Sequence, residues 1–405
     1  MQLVEYIRRE KYIEKIRPFI DKNIIKVLTG QRRVGKSYII YQLMDEIRES
    51  INNANIIYIN CELEEFRGIK TSKDLYDHIQ SKLVEDKSLN YLFIDEIQEI
   101  ESFQDTLRSL LAEKKCDIYC TGSNANLLSG ELATFLSGRY IDVNVHSLSY
   151  REFLEFHKLE NNQETLEKYL TYGGLPFLIN LELSREQSFE YLRNVYSTIL
   201  LKDVVTREKI RNISFLENLV SYISDNVGSL FSASNISKYL KSQRIDMSTQ
   251  IVINYLRALT NAYFIHKVLR ADISGLKIFE IGEKYYFEDL GLRNVIGGFN
   301  AAQDIHKLME NAVYLHLIQC GYEVYVGKLG DKEVDFMAQK DGRKVYVQVS
   351  LTVMQEETRK REFGNLMLVN DNYPKYVVTL NDMIIGNDYK GIQYVNLKDF
   401  LDKEI

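Results

Sequence analysis

Eight residues near the N-terminus, Gly30-Gln31-Arg32-Arg33-Val34-Gly35-Lys36-Ser37, fit the pattern G-x-x-x-x-G-K-[ST]. Glycines at its first and sixth positions reach backbone angles that a Cβ resists. They let successive N–H groups turn toward one anion at the start of a helix. Lys36 would then reach the β- and γ-phosphates of a nucleotide, and Ser37 would offer its hydroxyl to Mg²⁺. The flanks make the pattern informative. The run Asn23 to Thr29 is rich in β-branched and apolar residues and predicts a buried strand. Tyr38 to Ser50 carries Ile40, Leu43, Met44 and Ile47 at helical spacing. A chance glycine turn lacks such neighbours. Residues Gly30 to Tyr38 are therefore the expected phosphate-contact segment.

A second stretch, Tyr91-Leu92-Phe93-Ile94-Asp95-Glu96, is an apolar strand that ends in two acids. Asp95 would hold Mg²⁺ through its water shell, and Glu96 would polarise an attacking water. A third, Cys116 to Asn124, is a strand ending in small polar residues. Placed between the first two strands, it would bring Ser123 or Asn124 close to a γ-phosphate. Arg139 precedes the strand Ile141–Val145. It could supply positive charge to a transferred phosphoryl group, in its own chain or a neighbouring subunit. A surface arginine in a turn fits the same residues. Residues 1–22 read as a helix with Tyr6, Ile7, Tyr12, Ile13 and Ile16 on one side.

The chain has 405 residues, a length of two to four domains, and its 45% hydrophobic content is that of a globular protein. A net charge of −6 argues against a generally basic coat for nucleic acid but allows one basic face. The four cysteines lack a C-x-x-C or His-paired spacing and read as reduced core residues. Neither a signal peptide nor a membrane-length apolar run is evident, so a cytosolic location is expected.

Several of these stretches together resemble the prokaryotic AAA-type ATPases. They are the loop with Arg32-Arg33, then Asp95-Glu96-Ile97-Gln98, Thr121-Gly122-Ser123-Asn124 and Gly138-Arg139. Leu148 to Phe153 and Tyr172-Gly173-Gly174-Leu175-Pro176 are similar to the group that carries a C-terminal region of the DUF4143 type. The resemblance implies a parallel sheet ordered 5-1-4-3-2, ATP with Mg²⁺, and residues 1–149 as the P-loop ATPase domain.

Residues 150–212 read as helices, at Tyr150–His157, Gln163–Tyr172 and Arg185–Leu201, in the position of a lid over the nucleotide. Lys202, Asp203 and Arg207 could contact nucleotide or form a solvated charged face. Residues 213–302 show three helices and two strands, the rhythm of a winged helix-turn-helix. From Val205 to Asn300 there are twelve Lys/Arg against nine Asp/Glu. Arg244, Gln250 and Asn254 are candidate DNA contacts, while a packing role for the segment is the alternative.

Residues 303–405 run helix, three strands, helix, strand, and resemble the restriction-endonuclease-like fold. Such a site hydrolyses phosphodiesters with carboxylates that hold Mg²⁺ and a lysine that steadies water. Glu310 and Asp335 match two of the acids. Gln348 stands where a third acid is expected, and Ser350 where the lysine is expected. Two missing charges at a charge-dependent site favour a degenerate module that is structural or binds DNA.

The expected fold class is thus α/β multidomain: a P-loop NTPase sheet, a helical lid, a winged helix and a restriction-endonuclease-like module. The leading expectation is Mg²⁺-dependent ATP hydrolysis coupled to duplex DNA or a partner protein, with a homo-oligomer possible if Arg139 acts between subunits. A slow nucleotide switch, an ATP-gated nuclease and a DNA-binding regulator are the rivals.

Overall fold

The apolar runs read as strands pair in register. A computed structural model describes residues 6–86, 89–125, 138–242, 247–273, 275, 278–298, 300–353, 355–381 and 388–405. Two compact units divide the chain, one of residues 1–146 with 261–263, the other of residues 147–260 with 264–405.

In the first unit, α1 (Glu10–Ile16) precedes β1 (Ile25–Thr29) and α2 (Lys36–Ser50). Next come β2 (Asn55–Asn60), α3 (Ser72–Gln80), β3 (Asn90–Asp95), α4 (Phe103–Glu113), β4 (Asp117–Gly122) and β5 (Tyr140–Asn144). All neighbouring strands are parallel, in the order β2-β3-β4-β1-β5. This is the 5-1-4-3-2 order that the resemblance implied. One core packs Ile25, Val27, Ile59, Leu92, Ile94 and Ile118 of the strands with Leu75, Ile79, Leu107 and Leu110 of α3 and α4.

The first helix is shorter than its periodicity predicts. Arg9 is not helical (φ −110°, ψ 69°). Its N–H donates to Gln42 Oε1 (3.0 Å), and its guanidinium donates to the carbonyls of Val34 (2.9 Å) and His146 (3.0 Å). These bonds tie the preceding chain to α2 and the loop before it. Pro18 then ends the helix in a single tighter turn, Arg17–Phe19.

The second unit opens with α5 (Tyr150–His157), α6 (Gln163–Tyr172) and α7 (Arg185–Thr198), which continues into a π-helical stretch, Ile199–Thr206. Ser149 and Glu152 form a reciprocal cap on α5. Three further helices follow as expected: α8 (Ile213–Asp225), α9 (Ala233–Ser242) and α10 (Thr249–Asn261). Arg244 lies outside the described residues.

The expected wing is β6 (Ile265–Asp272) paired antiparallel with β7 (Ile278–Phe287). It does not stand free. Strand β6 also pairs in parallel with β8 (Glu323–Leu329), so the hairpin extends the sheet of the C-terminal segment. That sheet adds β9 (Lys332–Lys340), β10 (Arg343–Val349), β11 (Lys375–Thr379), β12 (Asp388–Tyr389) and β13 (Ile392–Asn396). Its order is β12-β13-β11-β10-β9-β8-β6-β7.

Between and after these strands lie α11 (Leu290–Gly297), α12 (Ala301–Gln319), α13 (Glu356–Met367) and α14 (Leu397–Asp402). The helix, three strands, helix and strand expected at the C-terminus are all present. Elements α11, β12, β13 and α14 were not anticipated, being too short to show a clear period. No helix among the described residues is long and apolar enough to cross a membrane.

The Gly173-Gly174 turn is held by one buried carboxylate. Asp289 caps α11 by accepting the Leu292 N–H (3.0 Å), and it accepts the Gly174 N–H (2.7 Å). A Cβ at Gly174 would lie 2.4 Å from the Leu148 carbonyl oxygen, so glycine is required there. Burial pushes the Asp289 carboxyl up to about 6, against the backbone N–H groups that favour its charged form. A folded-state value above the unfolded one stabilises the fold at low pH, and that stabilisation is lost as pH rises through about 6. Asp289→Asn lacks this titration. Its urea midpoint is expected to gain on that of the wild type as pH is raised from about 4 to 7.

Candidate functional site

A parallel sheet collects loop chemistry at the carboxyl ends of its strands. Here β1, β4 and β3 lie side by side, and the three stretches singled out in the sequence leave the sheet at that edge. Strand β1 runs into Gly30, whose φ is +140°. A Cβ there would stand 2.1 Å from the Val145 carbonyl oxygen, so the turn admits only glycine. Arg33 (φ 73°) and Gly35 (φ 97°) take left-handed angles before Lys36 and Ser37 open α2.

The loop is enclosed. Gln31, Arg32 and Lys36 are buried, whereas Tyr38 is 49% exposed. Both polar atoms of the Gln31 side-chain amide are buried without a hydrogen-bond partner. An amide so placed is costly unless a ligand completes it. The Lys36 ammonium donates to the carbonyls of Gly30 and Gln31, each at 3.0 Å, and stands 3.6 Å from Glu96 Oε1. Arg32 donates to Glu62 Oε1 at 2.7 Å.

The two acids behave differently. Asp95 ends β3, and its carboxylate accepts hydrogen bonds from Ser37 and from Thr121 Oγ1 (2.5 Å). Burial raises its carboxyl above the ordinary range against those bonds. Glu96 follows in a left-handed conformation (φ 55°). It accepts from Ser123 Oγ (2.9 Å) and from the Gln98 amide. Burial alone would raise its carboxyl. The charges of Lys36 and Arg32, with the bonds from Gln98 and Ser123, hold it instead at about 2. Glu96 is therefore an enclosed carboxylate that stays ionised.

The structure thus brings together Gly30, Gln31, Arg32, Lys36, Ser37, Asp95, Glu96 and Ser123. Asn124 is buried just past β4. Arg139 is exposed on the connection into β5, where its carbonyl accepts the Ile25 N–H (3.0 Å).

Sequence reading missed Thr121 as a site residue. Its hydroxyl donates to Asp95 and accepts the Glu96 N–H at 2.9 Å, so one side chain orients both acids. It also missed Tyr58, whose hydroxyl lies 3.4 Å from Asp95 Oδ2. The polar end of β4 was the available signal for Thr121. For Tyr58, set among isoleucines within β2, there was none.

A second buried cluster involves Glu310 on α12, Asp335 on β9 and Gln348 on β10. Gln348 Oε1 lies 3.4 Å from the Asp335 N–H, and Asp335 Oδ2 accepts the Val349 N–H at 2.8 Å. Burial and the neighbouring Glu310 push Asp335 up to about 8. Lys284 of β7, unremarked in the sequence, lies 3.0 Å from Glu310 Oε1.

Two family models match the chain: an AAA domain over residues 22–154 and a domain of unknown function, DUF8612, over residues 163–303. An uncharacterized protein of Haemophilus influenzae is 35% identical over 98% of both chains. The chain belongs to the family of that protein. Its first unit is an AAA-type P-loop domain. The second match is to DUF8612, not to the DUF4143 type that the motifs suggested. An uncharacterized protein of Methanocaldococcus jannaschii is 28% identical, over 89% of this chain and 83% of that one. A solved structure of the replication initiator DnaA bound to AMPPCP and single-stranded DNA aligns with a TM-score of 0.32. Its identity is 16%, over 64% of this chain and 89% of that chain.

The cradle rests on the fit of Gly30 against the Val145 carbonyl. Gly30→Ala is expected to weaken binding of a nonhydrolysable ATP analogue at least about tenfold, near 1.4 kcal/mol, in an equilibrium titration. The analogue's thermal stabilisation of the protein should fall with it.

Proposed function

We propose that this AAA-type protein binds ATP with Mg²⁺ at Gly30–Tyr38 and hydrolyses it. The observation that carries the reading is the ionised, enclosed Glu96, set beside Lys36 and oriented by Ser123. A carboxylate held near 2 stays ionised at neutral pH, so it can accept a hydrogen bond from a water and orient it toward phosphorus, although so low a value makes it a weak proton acceptor.

The residues fit both ligands. The loop's N–H groups, the unpaired Gln31 amide and the Lys36 ammonium suit a polyphosphate. Ser37 and Asp95, already hydrogen-bonded to each other, offer the hard oxygen donors that Mg²⁺ prefers. When bound, Mg²⁺ neutralises charge on the phosphate oxygens. Thr121 keeps Asp95 and Glu96 in fixed relation. Lys36 would exchange its bonds to the Gly30 and Gln31 carbonyls for phosphate oxygens, and Ser123 or Asn124 would sense the γ-phosphate. Arg139, being exposed, suits contact with a neighbouring subunit better than with its own site.

The second unit is the part that contacts duplex DNA or a partner protein. Support comes from α8–α10 followed by the β6–β7 hairpin, the element order of a winged helix. The exposed Gln250 and Asn254 lie one turn apart on α10 and are 3.3 Å from each other. They suit base edges in a major groove. Residues 150–212 would serve as the lid.

Glu96→Gln separates a hydrolase from a slow switch. Steady-state ATP turnover is expected to fall by about 100-fold or more while nucleotide affinity stays within about twofold. Turnover unchanged by the substitution would remove Glu96 from the chemistry. The wild-type rate is further expected to rise on adding duplex DNA at low salt and to lose that rise at high salt. Indifference to DNA at every salt concentration would point to a protein partner.

A further inference from the structure

The second unit holds a group of charges that the nucleotide site does not use. Glu333 and Asp335 are two residues apart on β9 and share one face of the sheet. Lys284 and Tyr286 stand in the same relation on β7, and Glu310 comes from α12. The Lys284 ammonium lies 3.0 Å from Glu310 Oε1, 3.0 Å from Glu333 Oε1 and 3.9 Å from Asp335 Oδ1. The side chains of Lys284 and Glu310 are only 3% and 5% exposed, so water contributes little to their solvation.

Three carboxylates, two from β9 and one from α12, form the oxygen-rich surroundings that a hard divalent cation takes. In this protein those surroundings already have an occupant. A lysine ammonium has three N–H donors, and three carboxylates face it. Tyr286 donates to the same Glu310 oxygen at 2.6 Å, and the Val349 N–H takes the other oxygen of Asp335 at 2.8 Å. The loop after α8 covers Glu310 from one side. A Cβ at Gly228 would fall 2.5 Å from Glu310 Oε2, so the backbone lies directly on the carboxylate. A hydrated ion and a phosphodiester both need that space.

We propose that the Lys284 ammonium is the built-in occupant of a divalent-cation pocket, so that the pocket is metal-free in the native protein and accepts a metal only when the lysine is removed. The inference is independent of the nucleotide reading, since no residue of the first unit takes part. It also accounts for Gln348: three acids already share one monocation, so a further carboxylate there would lack a counter-ion, and a neutral amide suffices. Lys284 is thus no hydrolytic lysine brought in from another strand, because its ammonium stands 3.0 Å from Glu310 and from Glu333, two of the carboxylates that a metal would need.

The test is Mn²⁺ binding by the full-length chain without nucleotide, followed by calorimetry and by the free-ion electron paramagnetic resonance signal. Wild type and Glu310→Gln are expected to take up the same amount of Mn²⁺. Lys284→Met should gain one additional ion, with a Kd of about 0.1–1 mM, the range of weak oxygen-ligand calcium sites. The double variant Lys284→Met/Glu310→Gln should lose that ion again. Lys284→Gln serves the same purpose should the methionine variant fail to fold. Wild-type uptake of an ion that Glu310→Gln or Asp335→Asn abolishes would overturn the proposal. So would a folded Lys284 variant that gains none. If neither Lys284 variant folds, the wild-type comparison decides alone: no Glu310-dependent ion supports the proposal, and one overturns it.

Discussion

The parallel register of β1, β4 and β3 is the constraint on which the nucleotide site depends. Leu28 pairs with Thr121, and Ile94 pairs with Cys120. These pairings set the end of β4 between the phosphate loop and the acid pair, so one hydroxyl, that of Thr121, reaches both Asp95 and the Glu96 N–H. A slip of one residue would turn every one of these side chains to the other face of the sheet. The close approach of Gly30 to the Val145 carbonyl belongs to the same constraint, because β5 pairs with β1 along its whole length.

The two units show what burial does to a carboxylate when the number of cations differs. Glu96 and Asp335 are both enclosed. Burial drives both upward, yet one is held at about 2 and the other rises to about 8. Glu96 has the charges of Lys36 and Arg32 and two hydrogen-bond donors around it. Asp335 shares a single ammonium with Glu310 and Glu333 and sits farthest from it. Charge count and not depth separates an ionised group suited to orienting water from a group packed for structure.

Much of the first unit was legible in the sequence. The glycine-lysine loop, the strand ending in Asp95-Glu96 and the strand ending in Ser123 carry local signals, because each depends on a few consecutive residues and their backbone angles. Buried charge within strands was not legible. Lys26 stands in the middle of β1, fully buried, with its ammonium on Asp117 and 4.8 Å from the Tyr119 ring centroid. Nothing in the run around it shows that a lysine there would be enclosed. Arg293 is similar: it is buried on α11, donating to the Ser224 carbonyl (2.9 and 3.0 Å) and to Asp304 (2.9 Å).

By itself the sequence determined the order and type of most elements and the glycine-lysine loop, since hydrophobic period and glycine geometry are local properties. It also marked Glu310 and Asp335 as a pair. Only the tertiary structure decided what stands between them. Lys284 is separated from Glu310 and Asp335 by long stretches of chain, and it reaches them because β6 pairs with β8 and carries β7 into the same sheet. Likewise, only the folded chain starts the first helix after Arg9, whose hydrogen bonds run to Val34, Gln42 and His146. Contacts between distant residues depend on strand pairing and burial, and neither is written in the spacing of a single run.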